Sequence, residues 1–207
     1  MTGTQRREQL LRIGRSLFAR KGFDGTSIEE IASEAGVSKP VVYEHFGGKE
    51  GLYAVVVDHE MQALAGAITT SLTRADGGGT RELLERAALA LLDYVETSTD
   101  GFRILVRDSS VASTGGTFAS LINDIASQVE HLLADAFTRR GLAADLAPIY
   151  SQALVGMVAL TGQWWLEARA PGRDEVAAHL VNLAYNGLAN LDPHPGLRVP
   201  GAGTQST

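Results

Sequence analysis

The chain has 207 residues, room for one mid-sized domain or for a small domain joined to a larger one. Hydrophobic residues make up 44% and charged residues 20%, the balance of a folded soluble protein and not of a disordered or fibrous one. The absence of cysteine excludes a disulfide scaffold, a zinc finger, an iron–sulfur centre and a thiol nucleophile, and a net charge of −6 argues against a coat for non-specific nucleic-acid binding.

In chain order, the first twenty residues carry Arg6, Arg7, Arg12, Arg15 and Arg20 with no apolar block between them, which predicts no signal peptide and a cytoplasmic chain. Residues 1–50 hold eight Lys/Arg against seven Asp/Glu, whereas the rest of the chain holds ten against seventeen. A basic first segment on an acidic body fits a protein that presents one end to phosphates; a solvated helix face reads equally well from charge alone. Leu10, Ile13, Leu17 and Phe18 give a first amphipathic helix that stops at Gly22. Thr26-Ser27 opens a second helix, with Ser27 and Glu30 spaced as a capping box and Ile28, Ile31, Ala32 and Ala35 facing inward. Gly36 breaks it. Ser38 then caps a short third helix that tolerates Pro40 in its first turn and turns Val42 and Phe46 inward. Gly47-Gly48 separates it from a fourth helix over 49–72.

Ala75-Asp76-Gly77-Gly78-Gly79 reads as a linker. Beyond it, helical spacing predicts elements over 81–97, 102–108, 117–140, 147–170 and 173–191. The breaks fall at Thr99-Asp100-Gly101, Thr114-Gly115-Gly116, Gly141 and Pro171-Gly172, and the Pro- and Gly-rich tail from Asp192 is expected to be disordered. The uncharged run 146–166 is long enough to span a membrane, but its Pro, Ser, Thr and Gln residues make a helix buried in a bundle or a dimer core the better reading. Strand signals are almost absent, so the fold expected is all-α: a tri-helical head over 1–48, then a connecting helix and helical body over 49–191, then a tail over 192–207.

Residues 27–46 have the form of a helix-turn-helix, a capped helix, a glycine turn and a second short helix with a partly polar outer face. The run from Phe23 to Tyr53, FDGTSIEEIASEAGVSKPVVYEHFGGKEGLY, closely resembles the DNA-binding domain of the tetracycline-repressor (TetR) family. The resemblance covers about the first fifty-five residues; the remainder agrees in length and helix count. It implies a homodimeric repressor whose recognition helix opens at Lys39, Pro40 and Val41 and enters the major groove of double-stranded operator DNA. Tyr43 and His45 match positions that commonly touch phosphate, and Lys49 matches the family's phosphate-binding lysine; Ser27 and Ser38, as helix caps, join this set. Gly48 stands where the family often has a serine cap. Glu44 either accepts from a cytosine amino group or points to solvent.

The resemblance further implies dimerisation through the last two helices. The first of them carries Ala153, Gly156, Ala159 and Gly162, and the second an apolar stripe of Val176, Leu180, Leu183, Gly187 (or Ala184), Leu188 and Leu191. An effector pocket is expected in the body, with Tyr94, Phe102, Leu105, Phe118, Ile122, Met157, Thr161, Trp164 and Trp165 as its candidate lining and Arg103 or Arg107 near an anionic group. Three segments, Lys39–Phe46, 101–105 and 164–167, are similar to the branch of the family containing actinobacterial fatty-acid regulators, which implies an amphipathic effector such as a long-chain acyl-CoA or fatty acid. An enzyme is the rival class. The five histidines show no metal-site spacing, Asp58-His59-Glu60 are neighbours along a helix and point apart, and nucleophile-elbow and phosphate-loop motifs are absent. No catalytic residue, metal, cofactor or membrane partner is expected. A second rival, a helix-turn-helix regulator with no small-molecule input, stays open.

Overall fold

In the computed structural model, which describes residues 1–73, 79–107 and 118–196, nine α-helices and one 3-10 turn follow one another without a strand among the described residues. The head consists of α1 (Gly3–Lys21), α2 (Ile28–Glu34) and α3 (Lys39–Phe46). Thr2 and Gln5 cap α1 reciprocally, a capping box in the Thr-x-x-Gln spacing of the sequence. The box expected at Ser27 is only half made: Ser27 accepts from the Glu30 amide at 3.2 Å, but the Glu30 carboxylate is taken by Lys21 of α1. Ser38 stands at the N-cap of α3 without a side-chain cap bond. Leu10, Leu17, Phe18, Ile31 and Val42 close a dry core between the three helices, while Phe46 stays half-buried.

The fourth helix, α4 (Lys49–Thr73), runs from the head into the body, burying Leu52, Val56, Leu64 and Ile68 along its length. Gly48, just before it, has φ +141°, where a serine would be strained; the backbone, and not a weakened cap, accounts for the glycine. The body is α5 (Thr80–Thr97), α6 (Thr99–Arg107), α7 (Phe118–Arg139), α8 (Ala147–Ala168) and α9 (Arg173–Ala189). A 3-10 turn, Ala144–Leu146, leads into α8. The break expected at 99–101 shrinks to the single residue Ser98: Thr99 and Asp100 instead open α6, where Asp100 favours the positive helix start. The glycine-rich segments 75–78 and 114–116, Asp108, Thr117 and the tail beyond 196 lie outside the described residues.

The closest body pairs are α7 with α8 and α5 with α9. Arg173 ties the start of α9 to Asp93 (2.8 Å) and Glu96 (3.3 Å) of α5. Arg140, just past α7, donates to the last carbonyls of α9 at Leu188 (2.7 Å) and Ala189 (3.0 Å). The stretch Ala144–Ala168 has the length and composition of a membrane span, yet only 22% of its most apolar window is buried within the protomer. Its outer stripe of Ile149, Ala153, Leu160 and Trp164 is uncovered.

Candidate functional site

The outer face of α3 carries Lys39, Pro40, Tyr43 and Glu44 at i, i+3 and i+4 spacing, all exposed, with Val42 pointing the other way into the core. Val41 and His45 are half-buried at the edges of that face, and the exposed Ser27 and Ser38 mark the starts of α2 and α3. Lys39 pairs with Glu29 of α2, and its hydrogen bond holds the Glu29 carboxyl below its ordinary value. Lys49 donates to the Phe23 carbonyl at 3.0 Å and stands 4.2 Å over the Phe23 ring, so its ammonium is placed by α1's exit loop. Glu44 is exposed beside Tyr43, with no partner among the described residues.

The basic first segment is used differently from the expectation drawn from charge. Arg7 donates to the His45 carbonyl at 2.7 Å and lies 4.4 Å over the Phe46 ring, fastening the end of α3. Arg6 and Gln9 both reach the Ala35 carbonyl at the end of α2. Arg20 pairs with Glu34, Lys21 with Glu30, and Arg15 with Glu60 of α4. Most of these cations therefore brace the helix-turn-helix from behind, and a count of charges overstates what the surface presents.

A second feature lies in the body. A part-open cavity of about 840 Å³ is walled by α4 (Leu64, Ile68, Leu72), α5 (Leu83, Ala87, Ala88, Leu91), α7, α8 and α9, within the range of about 300–1,000 Å³ usual for small-molecule sites. Its wall is overwhelmingly aliphatic; among the described residues the polar members are Thr73, Thr80, Gln128, His131 and Arg139.

Of the residues expected to line it, Ile122 and Met157 do. Tyr94, Phe102, Leu105 and Phe118 are buried elsewhere, the three rings packed edge to face at 6.4 and 5.8 Å. Trp165 is also buried outside the cavity, its indole N–H donating to the Pro171 carbonyl at 2.8 Å. Thr161 is half-buried beyond the wall, and Trp164 is 55% exposed on the outside of α8. Arg103 pairs with Asp100 and Glu167, and Arg107 packs against Gly22 of the head, so neither reaches the cavity. Rings fill space in this body, and the cavity is left where alanine, leucine and valine face one another. The recurrence of Leu83, Ala87 and Leu91 along α5 was the signal available in the sequence.

Residues 10–56 match the family model described as bacterial regulatory proteins, tetR family, and residues 68–199 match that of the tetracyclin repressor-like C-terminal domain. The chain is 29% identical over 190 residues to the HTH-type transcriptional activator FasR of Mycolicibacterium smegmatis, covering 90% of this chain and 84% of that protein. Among solved structures, a TetR-like transcriptional regulator from Rhodococcus sp. RHA1 is similar with a TM-score of 0.72 and 25% identity, over 90% of this chain and 97% of that one. A tetR-family transcriptional regulator from Streptomyces coelicolor is similar with a TM-score of 0.67 and 26% identity, over 91% and 82%.

Proposed function

As this chain belongs to the tetR family of bacterial regulatory proteins, DNA-binding transcriptional regulators and not enzymes, we propose that it is a homodimeric regulator whose operator affinity is set by an amphipathic effector. Its division is taken as a DNA-binding head over 1–48, a connecting helix and effector-binding, dimerising body over 49–191, and a tail over 192–207. Ser27, Ser38, Lys39, Pro40, Val41, Tyr43, His45 and Lys49 are assigned to DNA. The α3 residues enter the major groove, where Pro40 and Val41 suit a thymine methyl, and Tyr43 and Lys49 meet phosphates on either side. Two such heads bind a pseudo-palindrome when their recognition helices stand about 34–36 Å apart, one turn of B-DNA, or a multiple of it.

The dimer forms through α8 and α9. In support, α8 leaves Ile149, Leu160 and Trp164 uncovered, α9 leaves Leu183 uncovered, and Ala153 and Gly156 permit close approach between them. The effector occupies the body cavity, and the observation that carries this reading is that α4 serves both sites. The helix begins at Lys49 beside the recognition helix and ends by walling the cavity with Leu64, Ile68 and Leu72. An effector that binds one arrangement of α4 better than another shifts the heads by that difference in affinity and by no more. Aliphatic walls with a few hydroxyl, amide and cationic groups suit a long-chain acyl-CoA or fatty acid.

The test is operator affinity measured with and without palmitoyl-CoA. Operator binding that weakens marks a repressor released by its ligand; strengthening marks the opposite sign, in keeping with the word activator in the name of the Mycolicibacterium relative. Operator binding indifferent to palmitoyl-CoA and to palmitate favours the regulator without a small-molecule input.

A further inference from the structure

Glu60, halfway along α4, is the one charged side chain buried in the protein among the described residues, 3% exposed. Three other helices converge on its carboxylate. From α1, Arg15 Nη2 donates to Oε2 at 3.2 Å, and Nε lies 2.9 Å from Oε1 as an ion contact without hydrogen-bond alignment. From α5, the Tyr94 hydroxyl donates to Oε2 at 2.6 Å and stands 3.2 Å from the Glu60 carbonyl. From α6, Gly101 faces the same oxygen so closely that a Cβ there would lie 1.8 Å from Oε2 and 2.8 Å from Arg15 Nη2. His59 Nδ1, on the exposed side, is 3.4 Å from Oε1.

Burial, and then the bond to Glu60, drive the Tyr94 hydroxyl far above its ordinary pKa, so it remains a donor throughout the accessible range. A buried ion pair is seldom the most stabilising way to fill such a space, since apolar packing often does as well. What it supplies is direction. A fork of donors from α1, a hydroxyl from α5 and a gap in α6 are satisfied together by one relative placement of the helices. Here α1 belongs to the head, α5 and α6 belong to the body, and α4 joins them.

We propose that Glu60 is a positioning residue that, through Arg15 and Tyr94, fixes the angle between head and body and hence the separation of the two recognition helices in the dimer. This rests on the DNA-binding, dimeric reading above and adds to it a named joint. The joint also lies next to the cavity: Leu64, one turn further along α4, and Leu91, three residues before Tyr94 on α5, are both in its wall. A rearrangement of α4 against α5 at the cavity therefore reaches the carboxylate that holds the head.

The experiment uses the full-length chain, with an operator obtained by selection from random duplexes. Wild type, Tyr94→Phe and Glu60→Gln are titrated against a duplex carrying both half-sites and against one carrying a single half-site, and selection is repeated on each variant. Tyr94→Phe removes one hydroxyl and keeps the ring, so it guards against a variant that merely fails to fold. The expected result is a tenfold or greater loss on the two-half-site duplex, a change of less than twofold on the single half-site, and a relaxed or altered spacing in the selected operators. Equal losses on both duplexes, accompanied by a lower melting temperature, would assign the cluster a purely structural role and overturn the proposal. Unchanged affinity on both would overturn it as well. A wild-type chain that selects no operator would overturn the DNA-binding reading itself, a distinct outcome.

Discussion

Replacing Trp164 by alanine takes the largest uncovered apolar side chain off the outer face of α8. A tryptophan exposes up to about 250 Å² when fully accessible, so at 55% exposure roughly 140 Å² of it awaits a partner. At about 25 cal/mol per Å², covering that surface contributes about 3.5 kcal/mol, and two-fold symmetry counts the substitution twice, for about 7 kcal/mol in the dimer. This is an upper bound, because part of the ring stays wet at any interface rim. Half of it still moves the dimer dissociation constant by about three-hundredfold. Sedimentation equilibrium over a dilution series reads the shift directly. Leu160→Glu, which places a charge on the same stripe at a residue 65% exposed, should split the dimer at least as well. Tyr43→Ala is the control, since Tyr43 is exposed to a similar degree (52%) but sits on α3, and its loss should leave dimerisation unchanged. Equal dissociation constants for wild type, Trp164→Ala and Leu160→Glu would refute the assignment of α8 to the dimer.

Other substitutions bear on the DNA face and the cavity. Lys49→Ala should weaken binding to all duplexes alike and lower the salt slope by about 0.9, the release of one counterion, read by anisotropy titrations at several salt concentrations. Arg7→Ala should weaken operator binding with no change in salt slope, because Arg7 holds the His45 carbonyl and covers Phe46; a reduced slope would show that it meets phosphate instead. Glu29→Gln should strengthen binding to any duplex and steepen the slope, since it removes the carboxylate that occupies Lys39, and a weakened complex would contradict that assignment. Ala87→Phe, aimed into the cavity, should abolish uptake of a fluorescent fatty-acid probe while leaving operator affinity within twofold in the absence of ligand; undiminished uptake would move the effector site elsewhere.

The head was largely legible from sequence because its signals are local. Gly22, Gly36 and Gly47 lie at positive φ where the helices end, and Ser27 caps where its spacing says it should. What sequence left unread came from longer range. By charge alone the arginines of the first segment read equally as a phosphate-facing stripe or a solvated face, and their partners Ala35, His45 and Glu60 lie far along the chain. Tyr94 looks like a pocket residue for the same reason: its hydroxyl partner lies 34 positions away on α4. Aromatic side chains suggest a binding site, whereas here they interlock and the aliphatic positions enclose the space. Gly101 reads from sequence as a helix break, and its reason for being glycine is a carboxylate from another helix. Its neighbours Thr99 and Asp100 open α6, since a three-residue polar run followed by glycine does not by itself distinguish a loop from a helix start.

The measurement that bears most directly on the whole account is a hydroxyl-radical footprint of the full-length protein on its selected operator, taken with and without palmitoyl-CoA. A ligand-gated dimer should give two protected segments on one face of the duplex, their centres about 34–36 Å or a multiple of that apart, with both protections strengthening or fading together as the ligand is added. Protection without sequence preference, or a single protected segment indifferent to dimer concentration, would contradict it.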